Sequence, residues 1–153
     1  MGVEDRRLPE PSPPPREAPI YLKELYIRYL AFKQLLQQGR PRHALLSLRE
    51  GLAAALRRLA HSLELVVDVT GMMPGDLSGE IGVYAVLLLR MGVIDRNDSD
   101  QIRLTASIIG RRLRRSIPTS SELAQIAELY VRVYSSLLKM FEGEFRDTPS
   151  YIG

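Results

Sequence analysis

The chain contains no cysteine and only two histidines among its 153 residues. Without a thiol there is no disulfide, no cysteine nucleophile and no thiolate metal site. A site built on imidazoles would need both His43 and His61, so neither a metal nor another cofactor is expected. Lysine is scarce too: arginine outnumbers it 18 to 3, although the formal net charge is only +3. Long hydrophobic runs are missing. The longest apolar stretches, residues 83–89 and 63–67, fall far short of the roughly 20 residues that cross a bilayer. Residues 1–19 carry Glu4, Asp5, Arg6, Arg7 and Glu10 and no apolar h-region, so they do not read as a signal peptide. These absences together lead to the expectation of a cytoplasmic protein that does not engage a membrane.

What is present suits one globular domain with a sizeable core: 45% of residues are hydrophobic and 25% charged. Six of the ten prolines lie between Pro9 and Pro19. Each lacks an N–H and fixes its φ, so this segment forms neither helix nor sheet. Residues 1–19 are therefore read as a disordered or polyproline arm, a passive tail in preference to one that docks on an aromatic groove. Residues 20–146 form the folded domain, and 147–153 a C-terminal tail. The remaining prolines, Pro41, Pro74, Pro118 and Pro149, fall where the apolar pattern breaks.

Between those breaks every periodic segment is helical. Over residues 21–38, Leu22, Leu25, Tyr26, Tyr29, Lys33 and Leu36 share one face. Gly39 closes this helix and Pro41 opens the next, where a missing N–H costs nothing. There Leu45, Leu48, Leu52, Ala55, Leu59, Ser62 and Val66 alternate by three and four until Gly71. A third helix over 78–91 aligns Ile81, Tyr84, Leu88 and Met91. The polar run 95–100 offers caps to a fourth, with Ile102, Thr105, Ile109 and Leu113 on its inner face. Thr119 and Glu122 have capping-box spacing, and Leu123, Ile126, Tyr130, Val133, Leu137 and Phe141 then form a seam to about Phe145. Nothing alternates as a strand would. The fold class is all-α, an up-and-down bundle of about five helices.

Catalytic motifs are largely missing. Gly71, Gly75 and Gly79 are regularly spaced, but no lysine follows them and no strand precedes them. No serine elbow appears, no histidines stand at i, i+4, and no Glu-x-x-His supports a di-iron site. His43 and His61 read as structural or solvated. The strongest local feature is Arg111, Arg112, Arg114 and Arg115, four arginines within five positions with no acidic residue from Thr105 to Ser121. Cations in the last turn of a helix interact favourably with its negative end, which accounts for one or two of them. Four repel one another, and an anionic partner relieves that repulsion. The planar guanidinium fork suits phosphate, so these four are the candidate nucleic-acid or phosphate-binding residues.

The order of features after the arm resembles the HepT-like branch of the HEPN superfamily. It comprises the leading YLKEL, the apolar and acidic LELVVDV, Gly71, Pro74, Glu80, the junction at 88–94, Gly110-Arg111-Arg112, and a Ser/Glu-capped final helix. The resemblance implies an α-helical bundle, a homodimer, and a minimal nucleotidyltransferase as partner in a toxin–antitoxin-type pair. Active members resemble metal-independent ribonucleases in which an arginine holds the scissile phosphate and a histidine moves the proton. Here Arg112 matches that arginine, but Leu113 replaces the following Asn and Ile117 stands where the histidine is expected. Thr119 replaces the tyrosine that a nucleotidyltransferase modifies. Isoleucine cannot transfer a proton. The expected function is therefore a catalytically degenerate, HEPN-like module that binds RNA, a nucleotide or a protein partner. Two alternatives stand beside it: an active ribonuclease pairing Arg112 with a histidine outside the motif, such as His61, and a structural subunit of a larger helical assembly.

Overall fold

Helix ends set this architecture, because glycine, proline and acidic caps fall at nearly every junction. The computed structural model describes residues 8–65, 77–115 and 118–152, with side chains as far as residue 143. It contains α1 (Ile20–Gln37), α2 (Pro41–Ser62), α3 (Leu77–Arg90), α4 (Arg96–Leu113) and α5 (Ser120–Ile152), with no strand among the described residues. The all-α, five-helix bundle read from periodicity is the observed one.

Three helices end in the same way. After α1, Gly39 adopts φ 73°, its N–H bonds to the Leu36 carbonyl, and the Arg40 N–H reaches back to Leu35. After α3, Gly92 at φ 74° repeats the pattern with Leu89 and Leu88. These are Schellman turns, and glycine takes the left-handed position without a Cβ clash. At the end of α2 the same pair of bonds forms, but Glu64 occupies the left-handed position with φ 58°. That turn ends α2 at Ser62, short of the expected Gly71. The Ser62 hydroxyl also donates to the Leu59 carbonyl, and Val66, Val67, Val69 and Thr70, poor helix formers, follow in the sequence.

The other caps follow the sequence closely. Pro41 opens α2. The Asp95 side chain accepts from the Asp98 N–H at the start of α4, over 2.8 Å. Thr119 and Glu122 form a reciprocal capping box on α5. That helix runs to Ile152, past Pro149 and beyond the Phe145 expected.

Neighbours in sequence pack as neighbours in space: α1 on α2, α2 on α3, α3 on α4 and α4 on α5, while α5 returns to α1. α2 is the central helix, with 11 of its 22 residues buried, and it also touches α4. Leu22, Leu25, Leu45, Leu48 and Leu52 are almost wholly enclosed, each contributing about 1.5–3 kcal/mol by burial. The expected α1 face is turned slightly, so that Phe32 is buried while Lys33 reaches outward to Glu10. Gly51 lets α1 and α5 close on α2. A Cβ there would lie 2.7 Å from the Tyr130 hydroxyl and 2.8 Å from Arg28 Cβ.

The proline-rich arm is irregular, as its composition dictates, and from Leu8 onward it lies on the bundle. Leu8 is buried, the Tyr29 hydroxyl donates to the Pro9 carbonyl, and the Tyr134 hydroxyl donates to the Ser12 carbonyl, both over 2.7 Å. Lys33 holds Glu10, and Lys23 donates to the Arg16 carbonyl. Residues 1–7 lie outside the described residues.

Candidate nucleic-acid interface

The four arginines occupy the C-terminal end of α4, where cations meet the negative end of the helix. Arg111 and Arg112 belong to its last turn, Arg114 is its C-cap, and Arg115 follows. Another cation joins them from far away in the chain. Arg42, in the first turn of α2, donates to the Leu113 carbonyl and so caps α4. The positive end of α2 disfavours a cation at that position. This is explained once the negative end of α4 is seen beside it.

The structure divides the four arginines. Arg112 is tied down: its Nε pairs with Glu122 Oε2 at 2.8 Å, and its side chain is one-third exposed. The other oxygen of Glu122 accepts the Thr119 N–H at 2.9 Å. That backbone hydrogen bond, aided by the Thr119 hydroxyl and by Arg112 and Arg115, holds the Glu122 carboxyl below its ordinary pKa. Arg112 thus fastens the end of α4 to the start of α5. Arg111, Arg114 and Arg115 are exposed, and none makes an ion pair among the described residues.

Arg111, Arg112 and Arg115 line a pocket of about 220 Å³ with Ile108 and with Gln125 of α5. Arg112 and Arg115 also border a smaller hollow, of about 70 Å³, against Pro41, Arg42 and Pro118. Arg114 faces the other side of α4 and lines a separate concavity with residues of α3. Guanidinium groups around a polar, solvent-open pocket can hold phosphate oxygens by charge-assisted hydrogen bonds. Sequence reasoning missed Arg42, Gln125 and the latching role of Glu122. The run Arg40-Pro41-Arg42 carried a signal for the first, because basic residues at a helix N-terminus call for a compensating partner.

Thr119, where the HEPN-like pattern would have tyrosine, serves as the N-cap of α5. Ile117, which stands in the histidine position, lies outside the described residues, as does Ser116. Both histidines are exposed. Arg42 marks the end of α2 that meets the arginines, and His61 lies 19 residues further on, roughly 28 Å along the helix axis. Within one chain His61 is thus at the far end of the bundle from Arg112. His43 is at the near end but lines neither arginine pocket. Arg57, whose spacing to His61 comes nearest to that of the HEPN-like motif, is engaged with Glu80 through Nε and Nη2 at 3.0 and 2.7 Å. No group of three or more metal-ligating side chains occurs among the described residues, and no described helix is long and apolar enough to cross a membrane. Compared with family models, curated proteins and solved structures, the chain matches none.

Proposed function

We propose that the chain is a catalytically degenerate, HEPN-like module that binds single-stranded RNA by its phosphate backbone at the arginine end of α4. The observation that carries the reading is that Arg111, Arg114 and Arg115 are exposed and make no close ion pair among the described residues, while Arg112 beside them is paired with Glu122, which Arg115 feels only at longer range. A structural role needs one latched arginine. Three exposed cations without a close ion pair at one helix end favour an anionic ligand, because their mutual repulsion falls when phosphate is bound. The absence of a proton-transferring residue at Ile117, and the distance of His61 from Arg112, favour binding over cleavage.

The test is the salt dependence of binding to a short oligouridylate. Each phosphate contact on a single strand contributes about 0.7 to the slope of log K against log salt. Replacing Arg111, Arg114 and Arg115 by alanine is expected to flatten the slope by about 2, while Arg112→Ala alone has a smaller effect. An unchanged slope in the triple variant overturns the reading. Cleavage of RNA in the presence of EDTA by the wild-type chain overturns its catalytic part.

The module acts as a homodimer beside a minimal nucleotidyltransferase, in keeping with the resemblance. The outer side of α1 supports a self-association surface: Ile20, Ile27 and Leu30 are 60%, 59% and 44% exposed, although the opposite side of the helix is fully packed. The expected mass in solution at micromolar concentration is that of two chains, and Ile27→Glu halves it. A monomeric mass for the wild type rejects the dimer.

A further inference from the structure

The remaining arginine of the cluster leads to a different place. Arg114 stands at one end of a trough of about 320 Å³ between α3 and α4, and Arg103 stands at the other. On α4 the trough follows Arg103, Ser107, Gly110 and Arg114, spaced by four, three and four residues, which is one stripe of a helix. On α3 it is walled by Ser78 and Gly82. The two arginines are 11 residues apart, about 16 Å along the axis, and both are long enough to turn inward over the floor between them.

Helix packing explains only part of this arrangement. Gly110 allows α4 to approach α3, since a Cβ there would meet Ser78 Oγ at 3.0 Å. Gly82 has no such reason: a Cβ would meet nothing within 4 Å. A glycine inside a helix costs about 1 kcal/mol relative to alanine, and here no neighbour requires it. Ser78 Oγ is enclosed and has no hydrogen-bond partner, an unfavourable state for a hydroxyl. A bare wall at Gly82, the exposed Ser107 hydroxyl and two guanidinium groups make a space shaped for an anion. Arg103 meanwhile pairs with Asp100 at 2.6 Å, but both side chains are about half exposed. An exposed pair of this kind is weak enough to exchange for a better ligand.

We infer that this trough is a phosphate seat, in which Arg103 and Arg114 clasp the anion while the exposed Ser107 offers a hydroxyl donor. Its source is a further phosphate of the strand bound at the end of α4; in naming that source the inference rests on the RNA-binding reading, whereas the seat itself does not. Arg114 then stands between the two sites, and a strand crosses the end of α4 from one to the other.

The experiment uses the full chain and three variants: Arg103→Ala with Arg114→Ala, Arg111→Ala with Arg115→Ala, and Gly82→Leu. The last fills the trough without removing charge. With oligouridylate, the Arg103/Arg114 variant is expected to flatten the salt slope by about 1.4, and Gly82→Leu to weaken binding several-fold. If Gly82→Leu binds like wild type, charge alone is at work and the seat is overturned. Inorganic pyrophosphate, followed by amide shifts in NMR spectra, tests the seat without RNA. Shifts at Gly82, Ser107 and Gly110 that disappear in the Arg103/Arg114 variant and persist in the Arg111/Arg115 variant support it. Shifts confined to Arg111 and Arg115, or none at all, overturn it. If the wild type binds pyrophosphate in the trough but fails to bind oligouridylate, the RNA reading falls and the seat belongs to a free phosphate compound.

Discussion

Glu122 does two things with one carboxylate. It completes the cap of α5 through the Thr119 N–H and it neutralises Arg112. Glu122→Gln keeps an amide oxygen for the cap and removes the charge. The freed Arg112 is expected to raise oligouridylate affinity about two- to five-fold, as the loss of one exposed ion pair allows, measured by fluorescence anisotropy at fixed salt. The same variant tests the acid side of stability. Because the folded carboxyl is held below its ordinary pKa, its contribution is present above the unfolded value and is lost as pH falls through the folded one. Denaturation midpoints of wild type and variant should therefore converge on the acid side of the ordinary carboxylate range. Half of this residue was legible in the sequence. The capping-box spacing announces itself over three positions, whereas the pairing with Arg112 depends on how the chain turns between α4 and α5.

Helix starts and stops were mostly legible because their signals are local: Pro41, Gly39, Gly92, Asp95 and Thr119 each act within four residues. The end of α2 was not, because glutamate at a left-handed position has no sequence signature and the periodic pattern continues past it. Contacts between elements were less legible still. Arg42 and Leu113 are 71 residues apart, and the division of the arginine cluster depends on the rotation of α4 about its own axis. Gly51 shows the same limit, being one glycine among eleven until its neighbours are known. Gly51→Ala is expected to destabilise the chain by about 1–3 kcal/mol, the usual cost of overpacking, despite alanine's better helix propensity. Urea denaturation checks this, and a neutral or stabilising result would mean that α1 and α5 move apart readily.

At the scale of the whole molecule, tyrosine hydroxyls join the first and last parts of the chain. Tyr29 and Tyr134 hold the arm, and Tyr130 of α5 donates to the Leu25 carbonyl of α1 at 2.7 Å. Burial raises the pKa of all three, that of Tyr134 to about 12. An unfolded chain ionises its tyrosines near pH 10, so the folded state loses stability as pH rises from there towards 12. Ultraviolet titration is expected to show Tyr29, Tyr130 and Tyr134 resisting ionisation until the chain unfolds, with a falling denaturation midpoint above pH 10. Ionisation of these three near pH 10 in a folded chain would contradict it. The docked arm also bears on how the chain is made. The Tyr134 bond joins residues 122 positions apart, so residues 8–19 leave the ribosome long before their binding surface on α5 exists. The arm is synthesised early and can settle only late, which leaves a proline-rich segment open to proteases and other proteins until translation has passed α5.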